Sequence, residues 1–286
     1  MSPNVQTFFD PATFTATYLV SDPVSKAAAI IDPVLDFDAK SGKLSTTSVD
    51  AVLGAITNQG LTLLYSLETH AHADHLSAGD YVRSKTGAAV AIGAKITEVQ
   101  AVFIPVFEAD DIKADGSQFD HLLIDGAQLP LGTLSIHTLH TPGHTSACVT
   151  YVIGDAAFIG DTMFMPDYGT ARTDFPGGDA GSLYRSICKI LSLAPETRIF
   201  VGHDYLPSNR TEYRWETSVR EQTDKNIHLR GGVSEDDFVA LRQTKDKTLA
   251  PPALLLPSLQ VNIRGGKLPP PTCTGKIFLR IPVVQV

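Results

Sequence analysis

Residues 68–79 read ETHAHADHLSAG and place His70, His72, Asp74 and His75 within six consecutive positions. In an extended chain alternate side chains leave on the same side, so His70 and His72 present their imidazoles to one point. Asp74 and His75 then follow as the chain turns into the first residues of a helix expected over 74–86. Imidazole nitrogen beside carboxylate oxygen is a donor set for a first-row metal, and the mixed N/O set suits zinc, iron or manganese. Two histidines that merely capped a helix would require neither His72 nor Asp74.

Three further residues of ligand type close apolar runs. TPGHTSAC puts His144 in a Pro-Gly turn after a strand, FIGDTMF puts Asp161 at the end of an apolar strand, and IFVGHDY repeats the pattern with His203. A polar group left unpaired at such a position is costly, so each calls for a partner. The other histidines have ordinary readings: His121, His137 and His228 as surface or hydrogen-bonded core residues, and His140 as structural support beside the TPGH turn.

These side chains need elements to carry them. TFTATYLVSD, KAAAIIDPV, LTLLYSLE and GAAVAIGA read as strands, and TSVDAVLGAITNQG and KITEVQAVF as helices, the first closed by Gly60. EADDIKADGSQ is a surface loop. LPLGTLSIHTLH, CVTYVIGD, AAFIGDTMF and TRIFVGHDY are strands, whereas 179–193 and WETSVREQTDKNIHL are helical. Two halves of similar content predict two sheets faced by helices on their outer sides, an α/β fold in one domain over 1–286. From 247 the chain turns rich in proline and glycine but stays too apolar for a disordered tail. That extension, 247–286, is expected to wrap the domain, with GKIFLRIPVVQV adding a last strand.

Composition excludes several partner classes. With 286 residues, 43% hydrophobic and 19% charged, the chain can bury a full core. A net charge of -8 without a Lys/Arg cluster leaves no footprint for nucleic acid or anionic lipid. No run approaches a membrane span and the N-terminus has no leader pattern. Three widely spaced cysteines, Cys148, Cys188 and Cys273, fit a reducing compartment, so a cytoplasmic location is expected. Cys148 and Cys188 read as core residues and Cys273 as exposed. A homo-oligomer is compatible with this composition.

The order H-x-H-x-D-H, PGHT, GD, GHD resembles the metallo-β-lactamase superfamily over about residues 5–230. The resemblance implies an αβ/βα four-layer sandwich with a metal site at one edge between the two sheets. In two-metal members His70, His72, His144 and Asp161 would form the first site, and Asp74, His75, Asp161 and His203 the second. All seven positions are filled, so the pattern leaves the metal count open.

The segment GTARTDFPGGDAGSLYRSI and the HDY at 203–205 are similar to those of the persulfide dioxygenase branch, in its longer bacterial β-lactamase-like form. Ala171 stands where that branch usually has glycine. The likeness implies one Fe(II) per chain held by His70, His144 and Asp161, with His72, Asp74, His75 and His203 outside the metal's own ligand set or forming a second metal site. Two imidazoles and one carboxylate on one face leave positions open for substrate and O2. The implied partners are a low-molecular-weight thiol persulfide, glutathione persulfide in the family, and O2. Arg172 offers a planar fork to a substrate carboxylate or to Asp174, and Tyr205 a hydroxyl to substrate or a ring to the core. The alternatives are a two-zinc thioester hydrolase of the hydroxyacylglutathione hydrolase type, with a bridging hydroxide, and a non-catalytic metal-binding module.

Overall fold

A computed structural model describes residues 1–283. The first half runs β1 (Asn4–Asp10), β2 (Thr15–Ser21), β3 (Ala27–Ile31), β4 (Val34–Asp38), β5 (Lys43–Ser45), α1 (Thr47–Gln59), β6 (Thr62–Leu67), β7 (Leu76–Ser77), α2 (Gly79–Thr86), β8 (Ala89–Gly93), α3 (Ile96–Phe107) and β9 (His121–Leu123). The second half runs β10 (Gln128–Leu131), β11 (Leu134–His140), β12 (Val149–Ile153), β13 (Ala156–Phe158), α4 (Ala180–Leu191), β14 (Arg198–Phe200), β15 (Glu216–Ser218), α5 (Val219–Lys225), α6 (Glu235–Asp246) and α7 (Leu255–Asn262).

One sheet has the order β1-β2-β3-β6-β8-β9 and the other β10-β11-β12-β13-β14-β15; a small third sheet joins β5, β4 and β7. Strand alternation builds the layers. Ala16, Tyr18 and Val20 of β2 enter the core between the sheets with Tyr151, Phe158 and Phe200 from the second sheet. Leu19 between them points the other way, into a cluster with Val49, Val52 and Ile56 of α1. On the far side α4, α5 and α6 cover the second sheet through Leu183, Ile187, Val219 and Phe238. The four-layer helix-sheet-sheet-helix sandwich expected from the sequence is therefore present. Gly60 ends α1 in the left-handed conformation at φ 62°, donating to the Ile56 and Thr57 carbonyls.

The structure departs from the sequence reading in five places. Asp74 and His75 are not helical: Leu76–Ser77 pairs with β4 as a strand, and α2 starts only at Gly79. The segment 215–229 is helical only over Val219–Lys225, because Glu216–Ser218 pairs with β14 and the Ser218 side chain caps the helix. The C-terminal extension contains a buried helix, α7, and its Leu259, with Ile263 just beyond its end, packs with α3. No strand forms over 275–283, and the remaining residues of that expected strand, 284–286, lie outside the described residues. Cys188 is exposed, since α4 buries Leu183, Ile187 and Ile190 and Cys188 falls on the opposite face. Cys148 is buried and Cys273 exposed, as read. Among the described residues no helix is long and apolar enough to cross a membrane.

Candidate metal centre

Strand ends from both sheets meet at one rim. His70, His72, Asp74 and His75 follow β6 of the first sheet; His144 follows β11, Asp161 follows β13 and His203 follows β14 of the second. Glycines permit the approach. A Cβ on Gly202 would sit 2.6 Å from Asp161 Oδ1, and one on Gly143 would collide with the Leu183 backbone at 2.3 Å.

His70, His144 and Asp161, all buried, bring one ligand atom each within 4.8 Å of one another. Hydrogen bonds fix which atom each offers. Thr69 Oγ1 donates to Asp32 Oδ2 at 2.8 Å, so toward His70 Nδ1, 3.0 Å away, the hydroxyl can only accept. His70 Nδ1 therefore carries the proton, and Nε2 keeps its lone pair, buried and without a hydrogen-bond partner. His144 repeats the device: Nδ1 donates to the Arg172 carbonyl at 2.9 Å, and Nε2 lies 4.0 Å from Asp161 Oδ2. Burial pushes both imidazoles below the usual histidine range, so both are neutral ligands. Asp161 divides its oxygens, Oδ1 receiving His203 Nδ1 at 2.6 Å and Oδ2 facing His144. Burial alone would raise the Asp161 carboxyl, but the charge and hydrogen bond of His203 outweigh it and hold it ionised. A buried nitrogen lone pair with nothing to bind, beside a second one and a carboxylate, fits a metal ion.

The other four predicted residues lie alongside. His203 spans two carboxylates, with Nε2 2.7 Å from Asp74 Oδ2, so neither ring nitrogen is left over. Burial disfavours its charged form, yet Asp161 and Asp74 together raise its pKa well above the ordinary value. His75 Nδ1 lies 2.9 Å from Asp74 and its Nε2 is buried and unpartnered. His72 turns to the buried acids, its Nε2 3.0 Å from Asp32 and 3.7 Å from Glu68. Three further groups of ligand type thus exist, His72–Asp74–His75, Asp32–Glu68–His72 and Asp74–Asp161–His203. His140 bonds the Ser146 carbonyl and His137 is exposed on β11; neither belongs to a ligand group.

A cavity of about 680 Å3 borders the cluster, within the range of small-molecule sites. Asp74, His144 and Asp161 line it, as do Phe14, Tyr168, Phe175 and Tyr205. The Tyr205 ring stacks on His203 at 5.6 Å. Arg172 also borders it, but its fork lies on Asp174, Nε to Oδ1 at 2.6 Å and Nη2 to Oδ2 at 2.7 Å, with Nη1 donating to the Ala250 carbonyl. Of the two partners expected for Arg172 the structure shows Asp174.

Several contributors carry no motif. Thr15 contacts His203 Nε2 at 3.0 Å and His75 Nδ1 at 3.3 Å, and Asp32 receives both Thr69 groups. Only the D of IIDPV, an acid ending an apolar strand as Asp161 does, offered a signal. Lys245 and His228 meet in the cavity wall, Nζ 2.6 Å from Nε2, while Thr170 N–H donates to His228 Nδ1.

A family model described as the metallo-beta-lactamase superfamily matches residues 10–203. The chain belongs to that superfamily. Among its relatives the beta-lactamase hydrolase-like protein of Agrobacterium fabrum is 52% identical over 281 residues, an alignment covering 98% of this chain but only 65% of that one. The chain thus spans less than two thirds of that relative. Human mitochondrial persulfide dioxygenase ETHE1 is 35% identical over 200 residues, covering 69% of this chain and 66% of its own. The crystal structure of ETHE1 from Myxococcus xanthus superposes with a TM-score of 0.74 at 29% identity, over 92% of this chain and 100% of that one.

Proposed function

We infer that this protein is an Fe(II)-dependent persulfide dioxygenase, catalysing RS–SH + O2 + H2O → RSH + H2SO3. The observation that carries the reading is the fixed tautomer of His70 and His144, which aims two lone pairs and one Asp161 oxygen into a common space while both nitrogens of His203 are already occupied. Likeness to the ETHE1 proteins supports the choice of persulfide and O2, and the donor set of two imidazoles and one carboxylate supports iron. A single Fe(II) on two imidazoles and one carboxylate supplies open coordination positions and a redox couple suited to O2.

The chain's own groups then do the rest. His203 holds Asp161 Oδ1, leaving Oδ2 for the metal, as a carboxylate partner outside the ligand set commonly does in reverse for histidine. Aromatic walls from Phe14, Phe175 and Tyr205 exclude water around the persulfide sulfur, and the Tyr205 ring restrains His203. Arg172 acts on the wall rather than as a fork for substrate: its bonds to Asp174 and Ala250 brace the segment that roofs the cavity. Substrate anchoring falls to Lys245 and His228. Lys245 Nζ and His228 Nε2 are hydrogen-bond partners 2.6 Å apart in the cavity wall, and Lys245 brings a positive charge to that wall. Among the described residues no carboxylate forms an ion pair with Lys245, so its charge is the one available to an anionic tail on the thiol.

A two-metal thioester hydrolase is the second reading, favoured by the unpartnered His75 Nε2 and the group Asp74–Asp161–His203. Iron content and O2 uptake decide. Protein reconstituted anaerobically with Fe(II) is expected to hold about one iron per chain and to consume O2 with stoichiometric sulfite from glutathione persulfide. Two metals per chain with cleavage of S-lactoylglutathione and no O2 uptake would overturn the first reading.

A further inference from the structure

The segment Asn262-Ile-Arg-Gly-Gly266 lies almost two hundred residues beyond the histidine loop and touches it. Asn262, the last residue of α7, is 3% exposed. Its Nδ2 donates to the carbonyls of His72 and His75, both at 2.8 Å, and its Oδ1 accepts from the Ser77 N–H at 2.7 Å. One planar amide thereby serves three buried backbone groups of the loop 72–77. Between His70 and His75 the chain is neither helix nor strand, so no ladder partner stands in for it.

The amide is itself held in place. Leu259 and Ile263 pack with α3, and Val261 belongs to the apolar cluster that includes Val52 of α1 and Val82 of α2. Gln100 Nε2 donates to the Ile263 carbonyl at 2.9 Å, and Arg264 lies on Asp111 through Nε at 2.9 Å and Nη2 at 2.6 Å. Gly266, at φ 86°, approaches so closely that a Cβ would sit 2.9 Å from Ser77 O, Gly79 N and Asp80 N.

We propose that Asn262 is a positioning residue of the metal centre, setting the path of 72–77 so that Asp74 and His75 face His203 and Thr15 at the rim. The inference rests on the metal-centre reading above. Asn262 lies beyond the stretch matched by the family model and outside every ligand motif. The amide is chemically specific: aspartate has neither donor and would set a carboxylate against two carbonyls, and serine offers a single donor.

The test uses the full-length apo protein, titrated with Co(II) and read by its visible absorption, with hydrogen exchange over 70–77 followed by mass spectrometry. Asn262→Asp and Asn262→Ser are expected to weaken Co(II) binding roughly 10- to 100-fold, to change the absorption, and to speed exchange across 72–77. Leu259→Ala loosens α7 without touching the amide; it is expected to lower the melting temperature while leaving Co(II) affinity close to the parent's. Equal loss of Co(II) affinity in Leu259→Ala and the Asn262 variants at matched melting temperature overturns the proposal, as does parental affinity in the Asn262 variants. If Asn262→Asp fails to fold, Asn262→Ser carries the test. If the parent itself takes up no Co(II), the metal reading fails, and exchange still decides: unchanged protection in Asn262→Ser overturns the positioning role, and faster exchange supports it.

Discussion

The histidine loop and the C-terminal segment 242–266 meet at the same site but are written in different ways. In the loop, the signal lies in side-chain type: His70, His72, Asp74 and His75 are residues of metal-ligand type at a spacing suited to a metal ion. In the C-terminal segment it lies in placement, because Arg242, Lys245 and Asn262 are common residues that matter through what the fold brings against them. The loop supplies donors, and the distant segment decides what shape and charge they see.

Ligand loss is the strongest test of that division. His70→Ala and His144→Ala are each expected to abolish iron retention, measured as metal per chain, because three ligands leave no redundancy. His203→Ala should keep more iron than either while losing turnover, since His203 touches Asp161 and not the ligand space. Metal loss in His203→Ala as complete as in His70→Ala would erase the distinction between ligand and support.

Next comes the buried pair in α6. Arg242 and Asp246 are 3% and 5% exposed and bonded to each other, and Asp246 also receives the N–H and hydroxyl of Thr173. Asp246→Ala leaves a buried guanidinium alone, a loss of about 3–5 kcal/mol. A large fall in denaturation midpoint is expected, with iron stoichiometry preserved in the protein that remains folded.

Lys245→Met should act on substrate alone. A roughly 10-fold rise in KM for glutathione persulfide is expected for loss of one charge-assisted contact, with unchanged iron and little change for a neutral persulfide. An equal rise for both substrates would assign Lys245 to packing rather than to the anion.

The last effect is on acid stability. Burial first, and the charge of Lys245 second, bring His228 down to about 4 from 6.5. Its folded pKa is lowered, so the unfolded chain binds more protons below pH 6.5 and this residue's share of stability is lost as pH falls from 6.5 toward 4. The melting temperature of His228→Gln should therefore decline less over that interval than the parent's.

Legibility follows the same line. The sandwich could be read because period-2 runs such as TATYLVS and the helical stripe Val49, Val52, Ile56 each bury one face. Ligand types could be read because histidine and aspartate seldom end apolar strands without a partner. Leu76–Ser77 has helical spacing but forms a strand, since its partner, β4, lies about forty residues earlier and local propensity is silent on pairing. Thr15 and Asn262 were invisible for a related reason: a hydroxyl and an amide are ordinary, and only tertiary contact makes them part of a site.

The rim of the sandwich has one more consequence. His70 follows a strand of the first sheet, whereas His144 and Asp161 follow strands of the second. An ion shared among them would be a cross-link closing a loop of roughly ninety residues, with the entropic benefit of a long closed loop. A metal held there would be a mechanical tie as well as a chemical one: the two halves, already packed through Tyr18, Phe158 and Phe200, would gain a rivet, and metal supply would become a control on how long the folded chain survives.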